Sequence, residues 1–314
     1  MNPLLNLKKH IGFGFMNASW PGSAVLIDDH AKAKFIEVLQ YALDQGITFF
    51  DTADIYAPSW DAMGHNEKLL AEAVAGWAGT LEQKRQLVIA TKGGITRSEG
   101  EVWGRNASPA YLVSVAEQSA KNLNLDVIPV WQHHRLDPTR TFSQALQGLL
   151  AVKNSGLAKN IGVSNYNANQ VRAAFDLLGG PEDGGLVSVQ NQLNPAYIHD
   201  LDVLDVCEEL GLAFLPWSPM KGARQTEAGT PSYEALGKLA TQRGVSRFEV
   251  TSGWLRGLTP NLVIMPGVTR KESIDNSLKG LEFVLSYEER NFLDASLVSE
   301  PVHHEIIDDS PLAE

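Results

Sequence analysis

Cysteine is nearly absent from this sequence: its 314 residues contain one, Cys207. A single cysteine excludes an internal disulfide and suits a reducing compartment. Cys207 lies in the predicted helix DVLDVCEEL without a surrounding motif, so a buried thiol is a better interpretation than a nucleophile. The first residues also lack the apolar core of a signal peptide. These features together predict a cytoplasmic protein.

Long apolar runs and an excess of positive charge are also missing. No run approaches the roughly 18 apolar residues of a membrane span, so no membrane association is expected. Lys and Arg number 26 against 37 Asp and Glu, which gives a net charge of -11. Nucleic acids favour a basic face, so no nucleic-acid partner is expected. Hydrophobic residues make up 44% of the chain, which is enough for a large core, and nothing here sets the oligomeric state.

Eight short apolar runs of β-forming residues recur along the chain, and longer segments with helical periodicity separate them. The predicted strands occupy 11–16, 48–53, 87–92, 127–134, 160–165, 186–192, 213–218 and 262–267. The predicted helices occupy 30–45, 66–78, 109–123, 140–155, 168–178, 202–210, 233–242 and 246–257. This alternation predicts an α/β fold with parallel strands and crossover helices.

Eight such units in one chain favour a single (β/α)8 TIM barrel with eight parallel strands. The weaker alternative is an open dinucleotide-binding sheet, because residues 12–17 lack the third glycine of a GxGxxG motif. No linker composition divides the chain. We therefore expect one domain over residues 1–314, in which about 300–314 form a solvated tail.

Polar residues stand where three consecutive predicted strands end. Asp51 ends strand two, Lys92 ends strand three, His134 ends strand four, and Tyr56 follows in the loop above strand two. In a β/α barrel these positions face one shared mouth. The segments that follow strands and are predicted to form loops around this mouth are 56–66, 93–107 and 220–232.

The four residue types fit one reaction, the reduction of a carbonyl group. Hydride addition needs a proton at oxygen, and a tyrosine with a pKa near 10 is a poor donor at neutral pH. A nearby lysine lowers that pKa, and an aspartate paired with the lysine keeps it charged and in place. A histidine at the mouth can donate a hydrogen bond to the carbonyl oxygen.

Several motifs carry a resemblance to the aldo-keto reductase family over nearly the whole chain. They are GITFFDTADIY, NEKLL, IGVSN (161–165), VQNQ (189–192), PWSP (216–219) and MPG (265–267). The resemblance implies a catalytic tetrad at Asp51, Tyr56, Lys92 and His134. It also implies that Tyr56 donates the proton and that a nicotinamide cofactor supplies the hydride.

Two adjacent histidines compete for the last tetrad position. An ungapped count against the family pattern, from Ser119 to Arg135, selects His134. Strand alternation then turns His133 to the opposite face. For the same reason the pair is a poor metal site, since adjacent strand residues diverge and no third ligand is evident, so we expect no bound metal.

The resemblance also implies a cofactor site. Ser164, Asn165 and Gln190 are expected at the nicotinamide carboxamide, and Trp217 is expected to stack on the nicotinamide ring. The segment Pro266–Gly267 lets the backbone approach a phosphate near a helix N-terminus. The further expected cofactor residues are Ser218, Pro219, Met220, Gly267, Thr269, Arg270, Ser273 and Asn276.

The choice of nicotinamide cofactor depends on a few cations in an acidic chain. Arg270, with help from Lys271 and Thr269, favours NADPH/NADP⁺ over NADH. The family often has Arg or His where this chain has Ser273, and Asn where it has Ser277. These two departures weaken the expectation and leave Arg270 as its chief support.

Aromatic residues near the mouth indicate the substrate class. Trp20, Trp60, Met63 and Trp103 are expected to form an apolar pocket wall, which suits an aromatic or cyclic small-molecule carbonyl. The stretch from Ser188 to Met220 resembles the pyridoxal reductase branch, which makes pyridoxal one candidate. A sugar or a secondary-metabolite ketone remains open.

Three other functions remain as alternatives. A non-catalytic regulatory subunit would keep the cofactor site, but its tetrad would be expected to have decayed. An isomerase or lyase would need a different set of strand-end groups. An alcohol or sugar dehydrogenase would use the same residues in the oxidative direction, which metabolite levels decide.

Overall fold

Seven of the eight predicted strands are confirmed in one parallel sheet. The structure, a computed structural model, describes residues 1–297, so the tail predicted at about 300–314 lies outside the described part. The strands are β1 (Phe13–Gly14), β2 (Phe49–Asp51), β3 (Val88–Gly93), β4 (Ile95–Ser98), β5 (Val102–Arg105), β6 (Val130–His133), β7 (Ile161–Ser164), β8 (Leu186–Gln190) and β9 (Ala213–Phe214). The order of the large sheet is β1-β2-β3-β6-β7-β8-β9. Each strand in it is parallel to its neighbours, as crossover helices require.

The segment predicted as an eighth strand does not form a regular strand. Residues 262–267 make isolated parallel bridges to both edges of the sheet instead. On one side Leu262 pairs with Phe214, and on the other Gly267 pairs with Gly14. The supporting hydrogen bonds run from Val263 N to Phe214 O at 2.9 Å and from Gly14 N to Pro266 O at 3.3 Å. The two edge strands of the sheet are therefore linked through this segment.

All eight predicted helices are confirmed, with ends within two residues of the prediction. The helices are α1 (Asp29–Asp44), α2 (His65–Gly76), α3 (Leu81–Arg85), α4 (Pro109–Leu123), α5 (Phe142–Ser155), α6 (Ala168–Leu178), α7 (Leu201–Glu209), α8 (Pro231–Arg243), α9 (Arg247–Arg256), α10 (Lys271–Gly280) and α11 (Tyr287–Asp294). Helix α5 illustrates the local causes: a Thr141–Gln144 capping box begins it, and Gly156, at φ +73°, ends it. No helix within residues 1–297 is long and apolar enough to cross a membrane.

The prediction of a loop over residues 93–107 is wrong in part. Strands β4 and β5 form an antiparallel hairpin there, with Arg97 opposite Trp103 and Ile95 opposite Arg105. The segment contains glycine and charge in place of an alternating apolar pattern. It pairs with itself away from the main sheet, so it lacks the apolar signal of a buried strand.

The core has two parts, one on each face of the parallel sheet. Phe50 belongs to the larger cluster, which includes most of the buried helix residues, and its neighbour Phe49 belongs to a smaller cluster with Ala90 and Val130. Side chains two residues apart in a strand share a face. Asp51, Lys92 and Gln132 each follow a member of the smaller cluster by two residues. The strands thus bring polar side chains together just beyond that cluster.

Candidate active site

A cavity of about 660 Å³ opens beside the C-terminal ends of the strands. Gly14, Asp51, Ser164 and Gln190, the last residues of β1, β2, β7 and β8, all line it. The predicted site residues that line the cavity are Trp20, Asp51, Tyr56, Trp103, His134, Ser164, Asn165, Gln190, Trp217, Ser218, Pro219, Met220, Gly267, Thr269, Arg270, Ser273 and Asn276. Residues from opposite ends of the sequence are thus brought to one place.

Lys92 and Asp51 form a buried ion pair beneath the cavity. Lys92 Nζ donates to Asp51 Oδ2 at 2.5 Å and to the Thr52 carbonyl at 2.9 Å. The side chain of Lys92 is fully buried, and that of Asp51 is 6% exposed. Burial acts to lower the pKa of Lys92, but Asp51 and Tyr56 raise it by more. The ammonium therefore stays charged at neutral pH.

Tyr56 completes a hydrogen-bonded chain that leads from this ion pair to the cavity. Lys92 Nζ donates to the Tyr56 hydroxyl at 3.2 Å, and its charge lies 4.9 Å from the centre of the ring. Burial raises the pKa of Tyr56, and Lys92 lowers it by less, so the net pKa lies above its usual range. Lys92 lowers this pKa, as expected, but burial together with the charges of Asp51 and Asp54 outweighs it. The phenol carries its proton at neutral pH.

The second carboxylate oxygen of Asp51 is held by two amides. Asp51 Oδ1 accepts from Gln132 Nε2 at 3.1 Å and from Gln190 Nε2 at 2.9 Å. Gln132 was not among the predicted site residues, although alternation along β6 and the residue after it puts Gln132 and His134 on the same face. The amide of Gln190, predicted to meet the nicotinamide, donates here to the aspartate. Asp51 is thereby fixed by partners from three strands.

The two histidines lie on opposite sides of β6. His134 lines the cavity, and its ring packs edge-on against Tyr56 with the centroids 5.8 Å apart. His133 is fully buried, and its Nδ1 lies 2.8 Å from the Tyr166 hydroxyl on the helix side. Burial, reinforced by the charges of Lys92 and Arg135, holds the pKa of His134 well below its usual range. A neutral His134 imidazole keeps one N–H to donate.

Asn165 connects several of the residues predicted to meet the cofactor. Its amide nitrogen donates to the His134 carbonyl at 3.1 Å and to Ser164 Oγ at 2.9 Å. Its amide oxygen accepts from the Trp217 indole nitrogen at 3.1 Å. Asn165 and Ser218 both have positive φ values, 63° and 51°, which ordinary residues adopt only when their surroundings impose them. Backbone strain of this kind clusters at binding sites.

The loop before α10 and the start of that helix form the far wall of the cavity. Arg270 is the N-cap residue of α10 but makes no side-chain cap hydrogen bond, and its side chain is exposed. Ser273 and Ser277 also line the cavity, and Ser277 Oγ donates to the Ser273 carbonyl. Lys271, expected to assist Arg270, points elsewhere: its ammonium lies 5.5 Å from the centre of the Tyr41 ring. Arg270 alone of these two cations lines the cavity.

Only part of the predicted aromatic wall is present. Trp20 and Trp103 line the cavity with their ring centroids 6.0 Å apart. Trp60 and Met63 are not among the described residues that line it, and their place in the pocket stays a prediction. The backbone amide of Trp60 donates to Glu101 at 3.1 Å, which ties its segment to the hairpin. The cavity residues that sequence reasoning missed include Met16, Asn17, Ile55, Ile95, Arg135, Arg224, Phe248 and Ser252.

Comparison with known proteins assigns the family. The Aldo/keto reductase family model matches residues 10–297. The chain belongs to the aldo/keto reductase family. This aldo/keto reductase is therefore an NAD(P)H-dependent oxidoreductase, as the motifs predicted.

Individual relatives agree with this assignment. A 6-dehydroglucose reductase of Novosphingobium aromaticivorans is 30% identical over 87% of this chain and 88% of its own length. Pyridoxine 4-dehydrogenase of Escherichia coli is 28% identical over 90% of this chain and 93% of its own length. The fold matches an aldo-keto reductase from Klebsiella pneumoniae, solved in complex with NADPH, with a TM-score of 0.71. That structure is 19% identical, and the match covers 94% of this chain and 93% of the other.

Proposed function

We propose that this aldo/keto reductase reduces an aldehyde or ketone to an alcohol with NADPH, and that Tyr56 is the proton donor. One observation carries the proposal: the hydrogen bonds from Asp51 through Lys92 to Tyr56, whose phenol lines the cavity beside His134. Reduction of a carbonyl needs hydride at carbon and a proton at oxygen. A protonated phenol next to a fixed cation supplies the second requirement.

The cavity suits a nicotinamide dinucleotide. Its volume of about 660 Å³ lies within the range of about 300–1,000 Å³ that is common for small-molecule sites. At Gly14 an added Cβ would meet nothing within 4 Å, so the site is open there. Ser164, Asn165 and Gln190 would hold the carboxamide, and Trp217 would cover the ring. When bound, the reduced nicotinamide supplies the hydride.

The residues of this chain control the proton. Tyr56 donates its phenolic proton to the carbonyl oxygen as the carbon accepts hydride. The Lys92 ammonium, 3.2 Å from the phenol oxygen, then stabilises the phenolate that is left. Asp51 keeps that ammonium charged and in place through their 2.5 Å contact. A neutral His134 donates a second hydrogen bond to the carbonyl oxygen and orients the substrate.

The preference for NADPH over NADH rests on Arg270. A 2′-phosphate brings about two negative charges, which an acidic protein binds only where a local cation meets them. Arg270 lines the cavity, and α10 begins at the next residue, so a guanidinium and free helix amides would face the phosphate together. Thr269, Ser273 and Asn276 line the same wall and would complete the contact. The remaining backbone contacts would come from Ser218, Pro219, Met220 and Gly267.

Trp20 and Trp103 favour an aromatic or cyclic carbonyl as substrate. Both rings line the cavity and are partly exposed, so a flat apolar group can pack on them. Pyridoxal is our first candidate, since pyridoxine 4-dehydrogenase of Escherichia coli is a relative over nine tenths of this chain. A sugar carbonyl is the second, on the likeness to 6-dehydroglucose reductase. The same residues would catalyse the oxidative direction when the alcohol and NADP⁺ are in excess.

The wider predictions also stand as proposals. We propose that residues 262–267 close the sheet as its eighth strand, because they bridge β9 and β1. We further propose that residues 1–314 form one domain, and that the protein works in the cytoplasm. The buried free thiol of Cys207 agrees with a reducing compartment.

A direct assay tests the function. The purified chain is mixed with NADPH or NADH and a panel of carbonyls that includes pyridoxal, aromatic aldehydes and sugars, and the loss of reduced-nicotinamide absorbance is followed. We expect NADPH oxidation that depends on the carbonyl and is lost in Tyr56→Phe. If the chain binds NADPH but oxidises it with none of these carbonyls, the alternative of a non-catalytic regulatory subunit gains support.

A further inference from the structure

Arg97 in β4 is a buried arginine outside the catalytic tetrad. Its side chain is 3% exposed, although arginines are seldom buried unless their charge and donors are satisfied. Here the partners are numerous. The guanidinium donates to the Ala57 carbonyl at 2.8 Å and to the Pro58 carbonyl at 3.3 Å, and Nε pairs with the Glu101 carboxylate.

These contacts attach the hairpin to the loop that follows Tyr56. Glu101, at the tip between β4 and β5, has a φ of +61° and also accepts from the Trp60 amide at 3.1 Å. Arg97 and Glu101 together therefore bind three residues of this loop, Ala57, Pro58 and Trp60. Within the described residues, β4 and β5 form strand pairs only with each other, so side-chain contacts such as these hold the hairpin against the rest of the protein.

The same guanidinium lies against both tryptophans of the cavity wall. Its central carbon is 4.9 Å from the centre of the Trp103 ring and 6.0 Å from that of Trp20. These two residues are 47% and 37% exposed, and both line the cavity. Such large, exposed rings would have several rotamers available without a partner behind them. A planar cation beneath both rings favours one arrangement, in which their opposite faces remain available.

We propose that Arg97 determines substrate specificity: it positions Trp20 and Trp103 as the wall on which the flat apolar part of a carbonyl substrate packs. It acts through the two tryptophans and is a positioning residue. The inference rests on the proposed function and adds a residue that sets its selectivity. A small aliphatic carbonyl at Tyr56 and His134 gains little from the wall, whereas an aromatic one buries a ring against it.

The test compares the ratio of kcat/KM for an aromatic carbonyl to kcat/KM for an aliphatic one. A general loss of activity lowers both values and leaves this ratio unchanged. kcat and KM for naphthaldehyde and for propanal are measured in wild type, Arg97→Met and the matched control Arg105→Met. Arg105 is on the same hairpin and donates to the Leu136 carbonyl at 3.3 Å. We expect Arg97→Met to raise KM for naphthaldehyde about tenfold, which corresponds to about 1.4 kcal/mol, and to leave KM for propanal nearly unchanged. Arg105→Met should keep the wild-type ratio of kcat/KM values.

A second variant and a binding measurement guard against a misfolded protein. Glu101→Gln weakens the ion pair with Arg97 but keeps the guanidinium. We expect it to shift the ratio of kcat/KM values in the same direction by a smaller amount. Calorimetry with naphthylmethanol, the alcohol that naphthaldehyde gives on reduction, measures binding without turnover. We expect Arg97→Met to show the same loss of affinity for it. The proposal would be overturned if kcat/KM fell equally for naphthaldehyde and propanal, or if the ratio of the two kcat/KM values stayed unchanged in both variants. Failure of the wild type to reduce any carbonyl would instead overturn the proposed function.

Discussion

Lys92 Nζ and Asp51 Oδ2 lie 2.5 Å apart beneath the cavity, and neither side chain is more than 6% exposed. Removing one partner from a buried ion pair leaves an uncompensated charge, which destabilises a protein by about 3–5 kcal/mol. We expect Lys92→Met to lower the free energy of unfolding by about this amount. The double variant Lys92→Met/Asp51→Asn should recover part of the loss, because no charge is then left alone. Urea unfolding of wild type and the two variants measures it, and a double variant no more stable than Lys92→Met would contradict the coupling.

Tyr56→Phe separates proton donation from cofactor binding. We expect turnover to fall by roughly 10²-fold or more, the usual scale for the loss of a general acid. The dissociation constant of NADPH should hardly change, since the phenol faces the carbonyl. Steady-state kinetics and fluorescence titration provide the two values. Near-normal turnover would exclude Tyr56 as the donor.

His134 and His133 should respond differently to the same substitution. His134→Ala should strongly lower turnover or substrate affinity, because its ring lines the cavity beside Tyr56. His133→Ala should act mainly on stability, since His133 contacts Tyr166 on the helix side. Kinetics and thermal unfolding of both variants test this. The reverse pattern would show that the catalytic histidine is His133.

The pH dependence of stability provides an independent test of His133. Burial lowers the pKa of His133 from 6.5 to about 4. A lowered folded-state pKa contributes stability that is present above pH 6.5 and is lost as the pH falls to about 4. The loss should amount to about 3 kcal/mol in wild type and should be absent from His133→Ala. The free energies of unfolding of both proteins, measured between these pH values, test this. If the two free energies fell in parallel with pH, the loss of stability could not be attributed to His133.

Arg270 and Lys271 form a matched pair for the choice of cofactor. Charge-assisted hydrogen bonds are worth about 1.5–3 kcal/mol each, so Arg270→Ala should weaken NADPH binding about ten- to hundredfold. NADH binding should hardly change, because it has no phosphate there. Lys271→Ala removes the same charge one residue away and should leave the ratio of the two dissociation constants intact. Equal weakening for both cofactors in Arg270→Ala would disprove its role.

Asp54 should make the protein less stable as the pH rises. The residue is buried, and within residues 1–297 neither carboxyl oxygen forms a hydrogen bond of good geometry. Burial, reinforced by the charge of Glu67, raises its pKa well above the usual value. A raised carboxyl pKa gives stability that is full below about pH 3.9 and is lost as the pH rises through the folded-state pKa.

Asp54→Asn removes this titration while keeping the shape of the side chain. We expect the variant to melt at a higher temperature than wild type near pH 8, and the difference to shrink as the pH falls towards 4. Asp126→Asn, at an exposed position on the loop before β6, is the control and should show little change. Melting temperatures across this range test the prediction. A difference that stays constant with pH would refute it.

The repeated elements of the fold were predictable because each depends on local pattern. Alternating strands and amphipathic helices have periods that a sequence displays, and the polar strand ends at Asp51, Lys92 and His134 follow from them. Alternation also separated His134 from His133, as the cavity and Tyr166 contacts confirm. The eighth strand was harder, because residues 262–267 form isolated bridges and no continuous ladder.

Loop geometry could not be predicted, since distant contacts determine it. Trp60 was expected in the cavity, but its backbone bonds to Glu101, 41 residues away, and Arg97 holds the neighbouring Ala57. No local pattern encodes such pairings. The net shift of the Tyr56 pKa could not be predicted for a related reason. It depends on how deeply the folded chain buries the phenol, which spacing alone does not reveal.

The fully buried ammonium of Lys92 has a consequence for protein engineering. Breaking the pair is harmful, but replacing both members of a buried ion pair with apolar groups of similar shape is often neutral or stabilising. A screen for heat resistance alone would therefore favour sequences that lose Lys92 and Asp51 together, and with them the chemistry. Thermostable variants that still work should instead carry their changes at surface and loop positions far from β2 and β3. In directed evolution, the screen must measure turnover and heat resistance in the same round.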